Sequence, residues 1–266
     1  MIGSTAAGDV ERSIRLAGDL LRLHTDPELL VMVNVWDVAS AKVVAALPGC
    51  RALATASYSI AASAGYPDGE SIPLDEMIGV VGRIVDAVEL PVSADLEAGY
   101  GDPAQAVRRA IGVGAVGGNL EDQMRPFVEA VKAVEASVAA AQAEGVGFVL
   151  NARTDAFLRA GERDLEDVTA DAIARGRAFL DAGASCVFVP GMIDEATVAR
   201  LVDALGPRKL SLLAGPGSLS QPRLAELGVA RVSFGPWTQR LALAALADAG
   251  AELLAGSSLP VVRAVS

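Results

Sequence analysis

Leu90-Pro91-Val92-Ser93-Ala94-Asp95-Leu96-Glu97-Ala98-Gly99-Tyr100-Gly101 is an apolar run that ends in two carboxylates, with two glycines close behind. A short apolar run of this kind reads as a strand buried on both faces. Residues i and i+2 of a strand share a face, so Asp95 and Glu97 are expected to converge on one spot. Paired carboxylates with no basic neighbour repel each other, and a hard divalent cation between them relieves the repulsion. Taken alone, the segment reads equally well as an acidic surface turn. Two later clusters, Glu121-Asp122 and Asn151-Ala152-Arg153-Thr154-Asp155, argue for the first reading.

Working outward, eight β-like runs can be marked: 30–34, 52–55, 92–95, 116–121, 147–153, 185–189, 209–213 and 230–234. Helix-length segments separate them, at 38–47, 74–88, 103–111, 127–143, 165–182, 195–205 and 222–227, with a last one at 238–254. Gly recurs where a helix closes before the next strand, as at Gly114, Gly145, Gly183, Gly206 and Gly228. Eight strand–helix alternations without a Pro/Ser-rich linker predict an α/β fold, a single (β/α)8 TIM-type barrel. One domain over 1–266, with its core at about 28–256, matches the roughly 250 residues such a barrel needs. A doubly wound open sheet lacks its glycine-rich dinucleotide signature here. An N-terminal helix is expected over Val10–Leu23, ahead of the barrel, with the one histidine, His24, at its end.

Composition narrows the function. A hydrophobic share of 52% supports a large core. The net charge of −11 argues against nucleic acid and anionic membranes, which attract clustered Lys and Arg. The two cysteines, Cys50 and Cys186, form neither a disulfide framework nor a zinc motif. With no leader or membrane-length apolar stretch, a cytoplasmic setting is expected. With His24 in a helix, the usual imidazole base is not on offer.

In such a barrel, chemistry collects where strands end and the following loops begin. The polar residues at those ends are Asn34 with Trp36 and Asp37, Ser57 and Tyr58, Asp95 and Glu97, Asn119 with Glu121 and Asp122, and Asn151, Arg153 and Asp155. By contrast, the sixth run ends in Val189-Pro190-Gly191 and the eighth in Ser233-Phe234-Gly235. Arg153, held by Glu121 or Asp155, offers a planar fork to a carboxylate or phosphoryl group, or else closes the barrel as a structural ion pair. The backbone N–H groups of Ser57 and Tyr58 suit an enolate oxygen. Together these parts suit a small anionic 2-oxo or 2-hydroxy acid chelated by a metal, with arginine on its far carboxylate.

These motifs, in this order, resemble the isocitrate lyase/phosphoenolpyruvate mutase superfamily, in its short-chain, mutase-like branch. The resemblance runs through N-V-W-D-V-A-S-A (34–41), G-Y-P-D-G (65–69), P-V-S-A-D-L-E-A-G-Y-G (91–101), G-G-N-L-E-D (117–122), N-A-R-T-D-A-F (151–157) and A-G-A-S-C-V-F-V-P (182–190). It implies Mg²⁺, with Mn²⁺ as a substitute, on Asp95, with Glu97 and Glu121 acting on it directly or through water. It also implies a substrate-anchoring Arg153, amides of Ser57 and Tyr58 on the substrate's oxygens, and Asp68 on a mobile loop important to phosphonate-handling members. The expected catalytic residues are Asp68, Glu121 and Arg153. The expected substrate contacts are Trp36, Ser57, Tyr58, Asp95, Asn119, Asn151 and Arg153. The resemblance also implies a homodimer or homotetramer that exchanges a C-terminal helix, which suits 238–254, a segment that reads equally well as the barrel's eighth helix.

The resemblance has gaps. The lyase branch carries a Lys/Arg-Cys-Gly-His lid, whereas Gln123-Met124-Arg125-Pro126-Phe127 here leads straight into a helix. The mutase branch places polar residues where Pro190-Gly191 stands. What remains is metal, enolate hole and arginine, which predicts a carbon–carbon lyase of decarboxylase or retro-aldol type that tolerates water. The alternatives are a P–C bond mutase or hydrolase, and a metabolite-binding barrel without turnover.

Overall fold

The computed structural model describes residues 3–258, with side chains from Val10 onward; residues 1–2 and 259–266 of the single domain read from the sequence lie outside them. Among the described residues, eight parallel strands close into one barrel in sequential order. They are β1 (Leu30–Val35), β2 (Leu53–Thr55), β3 (Val92–Asp95), β4 (Gly117–Glu121), β5 (Val149–Arg153), β6 (Cys186–Val189), β7 (Leu210–Leu213) and β8 (Arg231–Ser233). Each lies inside or within a residue of the run read from the sequence, because the apolar runs and their glycine ends both follow the barrel's period. The strands are short because the runs are buried on both faces, against the barrel interior and the helical coat.

The helices are α1 (Gly3–Thr25), α2 (Val38–Ala45), α3 (Ser57–Ser63), α4 (Leu74–Asp86), α5 (Pro103–Gly112), α6 (Phe127–Ala143), α7 (Leu165–Asp181), α8 (Glu195–Leu205), α9 (Gln221–Glu226) and α10 (Trp237–Leu254). Asp37, Asp102, Asp194 and Ser220 cap α2, α5, α8 and α9 by accepting from backbone amides of the first turn. α1 buries the stripe Leu16, Leu20 and Leu23 at helical spacing. At Gly117, where β4 begins, a Cβ would lie 2.7 Å from Leu20 Cδ2, so glycine lets this helix seat close under the barrel. His24 ends up buried, its Nδ1 2.8 Å from the Leu20 carbonyl, and burial lowers its pKa to about 4.

One element was not expected, and the last helix lies where the sequence places it. Ser57 and Tyr58, whose amides were read as facing an enolate oxygen, open α3, a helix of seven residues that the sequence reading had no separate segment for. α10 is bound to the barrel through its first turn. Gln239, its buried residue, donates to the Ser59 carbonyl at 3.0 Å and Ser63 Oγ at 2.8 Å, and Thr238 Oγ1 donates to the Asn34 carbonyl at 2.8 Å. Beyond that turn Leu241, Leu243 and Leu246 are exposed. No helix among the described residues is long and apolar enough to cross a membrane.

Candidate functional site

A cavity of about 520 Å³ opens at the ends of the strands. Its polar wall holds Ser57, Asp68, Asp95, Glu97, Asn119, Glu121 and Arg153. These residues come from consecutive strand ends, β2 to β5, and from the loop after α3, so the barrel brings together residues as far apart in sequence as Ser57 and Arg153.

Asp95 is the last residue of β3, and its amide donates to Thr55 Oγ1 at 2.9 Å. Its Oδ2 accepts from the Ser57 amide at 3.1 Å and the Ser57 hydroxyl at 2.8 Å. Its Oδ1 is buried with no hydrogen-bond partner. The Ser57 amide is therefore engaged by Asp95, and of the two amides read as an oxyanion site only that of Tyr58 is left for a ligand oxygen.

Glu97 does not reach the site by strand alternation, since β3 ends at Asp95 and Glu97 adopts a left-handed backbone with φ of 49°. The turn is held from two sides. Glu70 Oε1 accepts from the amides of Ala98, at 3.1 Å, and Tyr100, and Gly99, with φ of 96°, packs so tightly that a Cβ would lie 2.6 Å from Pro103 Cα. Glu97 accepts from the Glu70 amide on one oxygen and from the Tyr100 hydroxyl, at 3.2 Å, on the other. Its carbonyl accepts from the Glu121 amide at 2.7 Å, which ties the two acidic strand ends together. Burial, reinforced by the charge on Asp95, pushes Glu97 up to about 7.

Glu121 and Arg153 sit directly opposite each other in the β4–β5 register. Arg153 Nη1 lies 2.7 Å from Glu121 Oε2, and Arg153 Nε donates to Asp155 Oδ1 at 2.7 Å. Burial pushes Glu121 up to about 7; Arg153 opposes the rise, while Asp155 and Asp95 add to it. Arg153 is raised above its ordinary value because these carboxylates outweigh its own burial. The pair read from the sequence as either a substrate fork or a barrel-closing bridge is thus an ion pair facing the cavity.

Behind this wall, Asp122 links the two loops: its Oδ1 accepts from the amides of Met124, at 2.9 Å, and Asp155, at 3.0 Å. Its Oδ2 pairs with the buried Arg175 Nη1 at 3.0 Å. Two expected substrate contacts lie elsewhere. Asn151 is fully buried below the cavity, donating to Asn119 Oδ1 at 2.9 Å, so it orients Asn119 instead of lining the site. Trp36 lines a separate surface groove with Ile60 and Arg83, because one residue beyond β1 the chain has already turned toward the capping box of α2. Asp68 lines the cavity from an exposed loop.

Sequence reasoning missed Gln123, Arg159, Arg240 and the apolar wall from β6 to β8. Arg240 stacks over Tyr58 and Trp237, 5.3 and 4.9 Å from the ring centroids. Its position in the first turn of the helix that follows the last strand was the available signal.

Among the described residues, no three acidic, histidine or cysteine side chains converge into a complete metal-ligand set. The donor chemistry nevertheless suits a hard cation. Asp95 offers a bare, buried carboxylate oxygen, and two further carboxylates beside it are desolvated without enough positive charge to compensate. Mg²⁺ commonly uses one or two carboxylates and keeps several waters.

Residues 20–254 match the family described as phosphoenolpyruvate phosphomutase. A solved structure from Burkholderia cenocepacia J2315 superposes with a TM-score of 0.84 at 37% identity, covering 93% of this chain and 91% of that one. An oxaloacetate decarboxylase of Pseudomonas entomophila is 30% identical over 76% of this chain and 72% of its own length. A 2,3-dimethylmalate lyase of Eubacterium barkeri is 26% identical over 79% of this chain and 75% of its own.

Proposed function

This chain belongs to the phosphoenolpyruvate mutase family of the isocitrate lyase superfamily, and from that premise we propose that it is a divalent-metal-dependent carbon–carbon lyase. Its substrate would be a small 2-oxo or 2-hydroxy acid, cleaved by decarboxylation or retro-aldol reaction. The observation that carries the reading is Asp95, fixed by Ser57 through one oxygen and bare on the other, within a cavity that also holds Arg153.

Asp95 would hold Mg²⁺ or Mn²⁺, with Glu97 and Glu121 as the further carboxylates beside it. When bound, the cation supplies a Lewis acid that polarises the substrate carbonyl. Arg153, oriented by Glu121 and Asp155, receives a substrate carboxylate. The Tyr58 amide donates to the oxygen on which charge develops. For oxaloacetate, the bond between C3 and C4 breaks, carbon dioxide departs, and its electron pair passes through C3 to the C2 oxygen as an enolate. A solvent proton then adds at C3 to give pyruvate. The loop Gln123–Pro126 leads directly into α6, so water reaches this site and can supply that proton.

The same metal and arginine serve P–C bond chemistry, and Asp68 at the cavity edge favours this second reading. The exposed leucines of α10 also support a homodimer or homotetramer in which this helix covers a neighbouring subunit. A cytoplasmic setting fits a metabolic enzyme of this kind.

Purified protein with Mg²⁺ and oxaloacetate tests the leading reading by coupled detection of pyruvate. Release above the metal-only rate, lost in Asp95→Ala and in Arg153→Ala, is expected. Rates unchanged from the parent protein in both variants would defeat the lyase reading, and phosphonopyruvate turnover that depends on Asp68 would promote the second.

A further inference from the structure

Asp68-Gly69 is the one place in this chain where an aspartate or asparagine precedes glycine; the asparagines are followed by Val35, Leu120 and Ala152. The pairing has a chemistry of its own, because the backbone nitrogen of the second residue can reach the side-chain carboxyl carbon of the first and close a five-membered ring. A side chain on the second residue is the usual obstacle, and glycine has none. The fold leaves the reaction open here. Both residues are exposed, on the loop between α3 and α4 that borders the cavity. Among the described residues, Asp68 forms no ion pair and only its carbonyl is hydrogen-bonded, accepting from Ser71 Oγ at 3.3 Å. The Gly69 amide donates to no acceptor there, and a Cβ on Gly69 would meet no atom within 4 Å. Nucleophile and electrophile are both uncommitted.

The next residue gives this bond its leverage. Glu70 has a left-handed backbone, with φ of 61°, a conformation that a non-glycine residue keeps only when its surroundings hold it there. Its amide donates to Glu97, and its Oε1 accepts from the amides of Ala98, at 3.1 Å, and Tyr100. On the other side the loop is tied down at Tyr66, whose amide donates to the Ala61 carbonyl at 2.9 Å. Only Pro67, Asp68 and Gly69 separate the two anchors, so there is little slack between them. A change in main-chain length at residue 68 has to be taken up by a displacement of Glu70.

We propose that Asp68-Gly69 is a site of spontaneous covalent modification, and that its conversion releases Glu70 from the turn after β3. In the first step the Gly69 nitrogen bonds to the carbon of the protonated Asp68 carboxyl group. The hydroxyl leaves with the amide hydrogen as water, and a succinimide remains. Water then adds to one of the two ring carbonyls. Attack at the side-chain carbonyl restores aspartate. Attack at the main-chain carbonyl breaks its bond to the Gly69 nitrogen and gives isoaspartate, in which the chain runs through Cβ and Cγ and is longer by one methylene. No oxidant, cofactor or second protein takes part. The former main-chain carbonyl becomes the free carboxylate, so the acid at the cavity edge moves as the Glu97 turn loses its clamp.

In the test, the purified protein stands in warm neutral buffer without added metal or substrate. Isoaspartate is marked with protein-L-isoaspartate methyltransferase and a labelled methyl donor, and located by peptide mass spectrometry. Label should gather at residue 68, alongside a succinimide lighter by one water, while Asp164, also exposed but followed by Leu165, stays unlabelled. Asp68→Asn should reach the same products faster, because its carboxamide is uncharged at neutral pH whereas the carboxylate must first take a proton. Asp68→Glu, which needs a six-membered ring, should remain unlabelled. Label at Asp68 no greater than at Asp164 overturns the site. In the converted fraction, the amides of Ala98 and Tyr100 should exchange hydrogen about tenfold faster than in fresh protein, having lost hydrogen bonds to a charged acceptor. Unchanged exchange at both overturns the release of Glu70. Neither readout involves metal binding or turnover, so the lyase reading stands or falls separately.

Discussion

Replacing Asp122 with alanine should destabilise this barrel far more than cutting a shorter ion pair on its surface. Asp122 and Arg175 meet at 3.0 Å with side-chain exposures of 1% and 8%. Glu166 and Arg200 meet at 2.7 Å with 71% and 47% exposed. Distance alone ranks the second pair as the stronger. Burial reverses the order, because removing Asp122 takes from the buried Arg175 its one fully buried carboxylate, leaving it only the partly exposed Asp171 and the Arg125 carbonyl, and strips the amides of Met124 and Asp155 of their acceptor. Breaking a buried pair on one side costs about 3–5 kcal/mol, whereas an exposed pair contributes about 0–1 kcal/mol. At roughly 2–4 °C per kcal/mol for a chain of this size, Asp122→Ala should lower Tm by about 6–20 °C, and Glu166→Ala by no more than about 4 °C. The assay is thermal unfolding by circular dichroism at neutral pH, repeated with Arg175→Met and with the double variant Asp122→Leu/Arg175→Met. The double variant should recover most of the loss, since no fully buried charge is then left stranded and Asp171, partly exposed, keeps Arg163. Similar Tm losses for Asp122→Ala and Glu166→Ala would refute the reasoning, as would a double variant no more stable than either single one.

Three further outcomes are expected. The buried His24 titrates near 4 in the native protein against 6.5 when unfolded, so between these values the unfolded chain binds the extra proton and stability falls as pH drops. The loss approaches about 3 kcal/mol at pH 4, and urea titrations of His24→Met should show a correspondingly flatter decline between pH 6.5 and 4 than the parent protein. Gly99→Ala places a methyl against Pro103 at a left-handed backbone position, so it should displace Glu97 and weaken Mg²⁺ binding at least roughly tenfold by calorimetry, with undiminished affinity counting against the turn's role. Leu246→Glu on the exposed face of α10 should shift the protein to a smaller species in size-exclusion chromatography with light scattering, and an unchanged mass would show that this face covers no neighbour.

Much of the architecture was legible along the chain, and the exceptions are instructive. The eight apolar runs and the glycines behind them mark the strands well because a barrel buries each strand on both faces and leaves little room for polar residues except at the ends. Those exceptional polar residues pointed to Asp95, Glu121 and Arg153, and all three line the cavity. The reading was less secure one or two residues past a strand, where periodicity stops constraining direction. Trp36 turns to another groove, and Glu97 enters the site through a left-handed turn held by Glu70, a residue 27 positions away in sequence. Asn151 was rightly inward-facing but one layer too deep, since alternation assigns a face and not a height.

By itself, the order of residues determined the number of strands, their sequential closure and the set of acidic and basic groups delivered to one end. Tertiary structure decided which of those groups have atoms to spare. Ser57 is committed to Asp95, Glu97 to Glu70 and Tyr100, and Asp122 to Arg175, while Asp95 Oδ1 is left bare. It also brought Phe188 and Leu213 to the same cavity as the carboxylates. Covalent sequence specifies neighbours one residue at a time, but a hydrogen-bond acceptor can be filled by any donor that folding brings within about 3 Å, and that choice is made only when the barrel closes.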